Sequence, residues 1–137
     1  GFETDAIDGS EELVRIASEY TGIEVRQMYF QNLDEKEAYD GIWACSSILH
    51  LSYGELEDVF VKMARALNHY GILYTSFKYG TAEGEPSGRY FTDMTERKMD
   101  KLLKDVNTFD IMEMWVTDDV RPGRAEEKWL NMILRKK

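Results

Sequence analysis

Residues 4–18 read TDAIDGSEELVRIAS, and this stretch decides the fold class. Thr4–Asp8 is a short strand-like run that ends in an acid, and a glycine and a serine follow it. Residues 11–20 then carry apolar side chains at helical spacing, with two glutamates in the first turn, where the helix dipole favours negative charge. The stretch therefore predicts a strand, a tight turn and a helix.

Strand-like and helical stretches go on alternating along the chain. The further predicted strands are 23–30, 41–45, 72–77, 109–116 and 128–134, and the further predicted helices are 55–67 and 95–106. The run GIWAC at 41–45 lacks alternation, which is typical of a strand covered on both faces. Residues 78–93 have no hydrophobic period and predict a long loop. The pattern indicates an α/β fold, a sheet with helices on both faces.

The link between the last two predicted strands is polar and turn-rich and has no helical period. A parallel pair would need a crossover connection, so these two strands are expected to pair as antiparallel neighbours. The expected fold class is therefore an α/β sheet with helices on both faces and an antiparallel last strand.

Composition excludes several classes of function. The chain has 137 residues, as expected for one domain, and its formal net charge is −9. This charge argues against binding to nucleic acid or to an anionic membrane, and no apolar run is long enough to span a bilayer. No secretory signal is visible, and the single Cys45 excludes an internal disulfide, so a cytoplasmic location is expected. The two histidines and Cys45 are too scattered to predict a structural zinc site.

Asp8 is the most informative position, because it ends the first predicted strand. Ligands of open α/β sheets collect outside the carboxyl ends of the strands, where an acid can accept both ribose hydroxyls of a nucleotide-like cofactor. A second interpretation stays open. Asp8 and Glu11 also have the spacing of a helix capping box, in which Asp8 would only fix the helix that follows.

The order of the motifs adds a family resemblance. TDAIDGSEELVRIAS, MYFQNL, YDGIWACSSILH and NHYGILYTSFKYG, in this order, resemble the S-adenosylmethionine-dependent methyltransferases with a Rossmann-like sheet. The closing stretches GRYFTDMTE and FDIMEMWVTDDVRPGRAEEKWLNMILRKK resemble the tellurite-resistance branch of that superfamily. The resemblance covers nearly the whole chain and implies S-adenosyl-L-methionine as cofactor.

The resemblance assigns the cofactor-binding residues. Asp8 matches the acid that holds the ribose, and its neighbours Gly9 and Ser10 lie beside the adenine. Cys45 ends a strand where the family uses a backbone carbonyl near the methionine amino group. The adenine pocket falls after the second strand, on Tyr29, Phe30 and Gln31, although the usual acid is not obvious there.

The resemblance and the loop chemistry together suggest a catalytic set. His50 falls where a histidine or another polar residue often faces the active site, although a surface-capping role is an equal alternative. Arg89 and Tyr90 lie in the glycine-bearing loop, and we expect them to form part of a lid over a small oxyanion or metabolite, unless that loop carries only solvated charges. The predicted set is thus His50, Arg89 and Tyr90, with a small-molecule substrate and no metal.

One departure from the family pattern concerns the glycine-rich loop. In the family, a strand, this loop and a helix come before the acid, whereas here seven residues precede Asp8 and no GxGxG occurs. We therefore expect one N-terminally truncated domain over 1–137, lacking the first strand and helix, with impaired activity. Sheet edges left bare would favour homo-oligomers, and a non-catalytic remnant that self-associates or binds a partner is the alternative function.

Overall fold

The computed structural model describes residues 1–137, and its backbone contacts divide them into two units, Gly1–Leu33 and Asp34–Lys137. The alternation of strands and helices confirms the α/β fold class.

The unit Gly1–Leu33 contains a parallel pair of short strands and one helix. Strand β1 (Ala6–Asp8) pairs with β2 (Val25–Gln27), and helix α1 (Glu11–Thr21) connects them. The predicted strand over 23–30 is too long, because the chain leaves the extended conformation after β2 and forms a 3₁₀ turn at Phe30–Asn32.

Helix α1 has well-formed ends. The Ser10 side chain accepts a hydrogen bond from the Leu13 amide, and Gly22 closes the helix with a φ of 75°, which a glycine adopts without strain. No residue of α1 is buried. The predicted helix is thus confirmed, although its apolar stripe does not form a core.

The unit Asp34–Lys137 is built on a four-stranded sheet. Its elements are β3 (Tyr39–Ala44), α2 (Tyr53–Ala66), β4 (Leu67–Lys78), β5 (Glu83–Gly84), β6 (Phe91–Thr92), α3 (Glu96–Val106), β7 (Phe109–Asp118) and β8 (Lys128–Lys136). The strand order is β3-β4-β8-β7, in which β3 and β4 are parallel and β8 is antiparallel to both of its neighbours. The predicted antiparallel last strand is confirmed.

The core of this unit lies between the sheet and helices α2 and α3, which contact each other as well as β4 and β7. Alternate residues of a strand point to opposite faces, so one face of β4 and β8 carries the apolar side chains that pack here. The fully buried members are Leu56, Phe60, Leu73, Phe77, Met99, Leu102, Leu130 and Met132.

The other face of the sheet carries aromatic and polar side chains. Trp43 of β3 stacks on Tyr74 of β4 with ring centroids 4.1 Å apart, and Tyr74 donates a hydrogen bond to Asn131. Trp43 is 75% exposed. The prediction that 41–45 is covered on both faces is therefore wrong, because the absence of polar side chains from GIWAC does not require burial.

The region predicted as a structureless loop, 78–93, is also more ordered than expected. Strands β5 and β6 form a small antiparallel ribbon in which Glu83 faces Thr92. The buried Thr92 hydroxyl donates to the Leu51 carbonyl, which ties the ribbon to the segment before α2. Such a ribbon has too few residues to show a sequence period.

Candidate functional site

Asp8 ends β1, at the carboxyl edge of the parallel pair in the unit Gly1–Leu33. One carboxylate oxygen, Oδ1, accepts a hydrogen bond of 2.8 Å from the Ser10 amide. The other oxygen, Oδ2, has no hydrogen-bond partner in the protein. It is not one of the buried side-chain atoms that lack a hydrogen-bond partner, so it is accessible to solvent. Asp8 therefore keeps one oxygen available for a ligand hydroxyl.

The capping-box interpretation of Asp8 is wrong in its detail. The N-cap of α1 is Ser10, whose hydroxyl accepts a hydrogen bond from the Leu13 amide. The Asp8 carboxylate instead accepts a hydrogen bond from the Ser10 amide, which forms a short turn. The sequence signal was ambiguous because aspartate and serine are both good caps and lie two residues apart.

Gly9 has a packing role that sequence analysis missed. A Cβ atom at Gly9 would come within 3.1 Å of the Tyr29 ring, so the ring lies directly on the glycine. The Gly9 carbonyl accepts from the Gln27 side chain at 3.5 Å, and the Asp8 carbonyl accepts from the Met28 amide. The residues around Asp8 are thus held by the end of β2 and the segment that follows it.

The residues predicted to line an adenine pocket follow β2 directly. Tyr29 precedes the 3₁₀ turn, and Phe30 and Gln31 lie within it. Tyr29 is 62% exposed. The structure brings the Tyr29 ring next to Gly9.

Cys45 follows β3 and is a free, exposed cysteine. Its neighbour Ser46 has a positive φ of 49°, an uncommon conformation for a residue other than glycine. The Ser76 hydroxyl accepts from the Ser46 amide at 2.9 Å and holds this turn at the carboxyl end of the sheet. Cys45 therefore lies at the carboxyl end of β3.

His50 ends a 3₁₀ turn (Ile48–His50) between β3 and α2, and it is partly buried. Its Nδ1 atom lies 2.9 Å from the carbonyl oxygen of Tyr90. The Phe91 ring meets the imidazole edge-to-face, with centroids 4.6 Å apart. The structure thus brings together two of the three residues of the predicted catalytic set, His50 and the backbone of Tyr90.

The Tyr90 side chain points to a carboxylate. Its hydroxyl donates to Glu83, and this contact raises the pKa of Tyr90 to about 12. Glu83 also accepts from the Tyr53 amide at the start of α2. Tyr90 therefore keeps its proton at neutral pH, and Glu83 links the ribbon to α2.

Arg89 and two arginines of the loop between β7 and β8, Arg121 and Arg124, differ in their surroundings. Arg89 is exposed in the turn between β5 and β6 and has no ion-pair partner. Arg121 forms a bidentate contact with the buried Asp119, and Arg124 pairs with Glu127. The Arg121 guanidinium holds the pKa of Asp119 well below its usual range. Only Arg89 of these three is a free cation.

A cavity of about 340 Å³ lies where β4 ends and β8 begins, and sequence analysis missed it. Asp93 lies in its wall, where burial raises the pKa of the carboxyl while two lysines act in the opposite direction. The Nζ atom of Lys78 lies 4.3 Å from the centre of the Phe91 ring, the ring that also contacts His50. The other lining residues include Tyr79, Glu127, Lys128 and Trp129. No sequence signal could have shown that these residues lie together, because their strands are far apart in the sequence.

Neither a metal centre nor a membrane helix is present. No group of three or more His, Cys, Asp or Glu side chains could hold a metal ion. None of the helices is long and apolar enough to cross a bilayer.

Several solved structures of methyltransferases share this fold. The chain matches 1,6-didemethyltoxoflavin-N1-methyltransferase of Burkholderia thailandensis, crystallised with its substrate and S-adenosylhomocysteine, with a TM-score of 0.76 and 19% identity over 97% of this chain and 60% of that one. It matches an S-adenosylmethionine-dependent methyltransferase of Methanosarcina mazei with a TM-score of 0.78 and 15% identity, covering 95% of this chain and 80% of that one.

A third match is the N-methyltransferase NodS of Bradyrhizobium japonicum with S-adenosylhomocysteine, with a TM-score of 0.70 and 15% identity, covering 95% of this chain and 64% of that one. No family model matches the chain, and no curated protein sequence matches it. The chain thus has a methyltransferase-type Rossmann-like fold, and it spans 60% of the Burkholderia enzyme.

Proposed function

We propose that this chain is an S-adenosyl-L-methionine-dependent methyltransferase acting on a small molecule, with residues 1–137 forming one methyltransferase domain in the cytoplasm. The observation that carries the proposal is the carboxylate of Asp8, which ends a parallel strand with one oxygen fixed by the Ser10 amide and the other open to solvent. The net charge of −9 favours a small-molecule acceptor over nucleic acid.

The residues of the unit Gly1–Leu33 fit the adenosine part of the cofactor. The open oxygen of Asp8 can accept a ribose hydroxyl, and a carboxylate is a strong acceptor for this contact. The exposed ring of Tyr29, packed on Gly9, offers an apolar surface for a base. Ser10 keeps its hydroxyl on the helix cap, so its contribution would come from the backbone.

S-Adenosylmethionine supplies an activated methyl group, and the protein's contribution is to align the acceptor and exclude water. In the proposal, the Cys45 carbonyl holds the methionine amino group. Arg89 and Tyr90 belong to a lid over the acceptor, with Arg89 as the free cation. A small oxyanion of the tellurite-resistance type is one acceptor class that such a cation suits.

The second candidate is a methyltransferase-like protein without activity that self-associates. Trp43, 75% exposed on outer strand β3, favours it, because β3 has only one hydrogen-bonded neighbour and such edges pair with other chains. Sedimentation of the chain at increasing concentration tests this function: a dimer that does not bind the cofactor product supports it.

Calorimetry with S-adenosylhomocysteine tests the cofactor site. The Asp8→Asn variant separates the structural role of Asp8 from ligand binding. The asparagine oxygen can still accept a hydrogen bond from the Ser10 amide, but the carboxylate charge is lost. Losing one charge-assisted hydrogen bond should weaken binding roughly 10- to 100-fold. Glu19→Gln on the exposed face of α1 removes the same charge and should leave binding unchanged.

Two results would contradict the proposed function. One is the absence of S-adenosylhomocysteine binding by the unmodified chain. The other is an equal dissociation constant for Asp8→Asn and Glu19→Gln, which would show that Asp8 only shapes its turn.

A further inference from the structure

We propose that the cavity at the end of β4 is a binding site for a small organic cation, an ammonium group carried on an apolar or aromatic body. All residues of this site belong to the unit Asp34–Lys137. The site therefore depends neither on Asp8 nor on the proposed methyl transfer, and it can be tested by binding alone.

The cavity has the size of a small-molecule site. Its volume of about 340 Å³ falls within the range that ligand pockets occupy. Its walls come from three places in the chain, which are the end of β4, the segment between β6 and α3, and the start of β8 with the turn before it. Aromatic rings and charged side chains share these walls.

Trp129 forms a fixed aromatic wall of the cavity. Its indole N–H donates a hydrogen bond of 3.0 Å to the carboxylate of Asp119. Asp119 is 8% exposed, and the Arg121 guanidinium donates to both of its oxygens. The indole is therefore held in one orientation before a ligand arrives, and Tyr79 adds a second ring to the lining. Preorganised rings bind an apolar body at a low entropic cost and attract a cation.

The two lysines of the lining already have partners. The Nζ atom of Lys78 lies 4.3 Å from the centre of the Phe91 ring, which it faces as a cation on an aromatic surface. Lys128 forms an ion pair with Asp118, the residue opposite it on β7. An anionic ligand would have to draw both ammonium groups away from these contacts.

The carboxylate of Asp93 has no such partner. The Nζ atom of Lys98 donates to the backbone carbonyl of Asp93 at 2.8 Å, and the carboxylate oxygens accept no hydrogen bond from the protein. They are not among the buried polar atoms that lack a partner, so a ligand can reach them. Burial raises the pKa of this carboxyl more than Lys78 and Lys98 lower it. The carboxylate thus lies where positive charge is in short supply.

The remaining charges of the lining select the ligand. Glu127 pairs with Arg124 at 3.4 Å, which leaves Asp93 and Glu126 as the charged lining residues without a partner. Both of them are negative. An ammonium group can donate hydrogen bonds to Asp93 and supply the missing positive charge, while its apolar body packs against Trp129.

Three probes that share a phenyl ring and a two-carbon linker test the charge of the head group. They are 2-phenylethylamine, 2-phenylethanol and 3-phenylpropionate, which are cationic, neutral and anionic at neutral pH. In a titration followed by NMR, the amine should bind roughly 10- to 100-fold more tightly than the alcohol, because it gains a charge-assisted hydrogen bond. Equal binding of amine and alcohol, tighter binding of the acid, or no binding of the amine at millimolar concentration would overturn the proposal.

Nitrogen-15 spectra of the indole groups show where the amine binds. The chain has three tryptophans, and Trp129→Phe identifies the Trp129 signal by removing it. We expect the amine to shift this signal and to leave that of Trp43, which stacks on Tyr74 in β4, unchanged. A shift confined to Trp43 or Trp115 would place the probe elsewhere and contradict the proposed site.

The Asp93→Asn variant separates recognition of the cation from the shape of the cavity. The amide matches the carboxylate in size, so the affinity for the alcohol should stay the same while that for the amine falls roughly 10- to 100-fold. Asp100→Asn, on the exposed side of α3, removes the same charge outside the cavity and should leave amine binding unchanged. Equal effects of the two variants would show that the amine responds only to the net charge of −9, and the proposal would fail.

Glu126→Gln is the second variant, and it carries the test if Asp93→Asn does not fold. Glu126 is exposed, so water screens its charge, and its loss should weaken amine binding only about two- to fivefold. A loss that is specific to the amine and absent from Asp100→Asn supports the site. No loss in either cavity variant would overturn it.

Discussion

Helices α1 and α2 have similar amphipathic sequences and serine N-caps, yet one is exposed and the other forms the core. Ser10 and Ser52 each accept a hydrogen bond from the amide three residues on. No residue of α1 is buried, and Leu13 is 52% exposed, whereas Phe60 of α2 has no exposed surface. The difference teaches that hydrophobic periodicity specifies a helix and its apolar side, and that the surrounding sheet decides how much burial follows.

The largest effect is expected from truncating the apolar face of each helix. Phe60→Ala should lower the free energy of unfolding by about 3–5 kcal/mol, because it leaves a cavity against the sheet. Leu13→Ala should cost less than about 1 kcal/mol, because half of that side chain is already in water. Urea titration followed by circular dichroism measures both.

Equal losses for these two variants would show that α1 is as buried in solution as α2. Where Phe60→Ala does not fold, Phe60→Leu, which keeps most of the apolar contact, serves as the milder variant. It should show a smaller loss that still exceeds that of Leu13→Ala.

A medium effect is expected at the helix caps. Ser52 belongs to a capping box in which its hydroxyl and the Glu55 side chain satisfy each other's backbone amides. Ser52→Ala should lower the global free energy of unfolding by about 1 kcal/mol. Ser10→Ala should instead speed amide hydrogen exchange within α1 while global unfolding changes little, since α1 adds no buried residue. A global loss for Ser10→Ala as large as for Ser52→Ala would contradict this.

The smallest effect is expected on the surface of α1. Arg15 and Glu19 form an ion pair 3.4 Å long whose side chains are 61% and 70% exposed. Glu19→Gln should change stability by no more than about 0.5 kcal/mol, because water and salt screen exposed pairs. A thermal melt at low and at high salt measures it, and a larger change that persists at high salt would show an unrecognised burial of this helix.

The long periodic segments could be predicted from the sequence, and the short ones could not. The predicted helix 55–67 corresponds to α2 (Tyr53–Ala66), because its apolar stripe is long and meets a sheet. The ribbon of β5 and β6 was missed because two-residue strands carry no period. The predicted burial of β3 was too high, because the apolar sequence GIWAC does not indicate whether another element packs on Trp43.

The candidate site shows the same division. Asp8 could be placed at a strand end from its position after an apolar run, and the structure puts it there. The contact between His50 and Tyr90 joins residues 40 positions apart, and the cavity at Lys78 and Trp129 joins two antiparallel strands. Such contacts depend on register and topology, which a single sequence does not reveal.

The position of β8 has a consequence for how the protein is made. This strand follows every other strand along the chain, yet it lies between β4 and β7 and supplies the hydrogen bonds that join them. While the ribosome is still synthesising β8, β4 and β7 have no partner to bridge them, and the apolar face under α2 stays open. The unit Gly1–Leu33 needs only neighbouring residues for its pairings, so it can form early during translation.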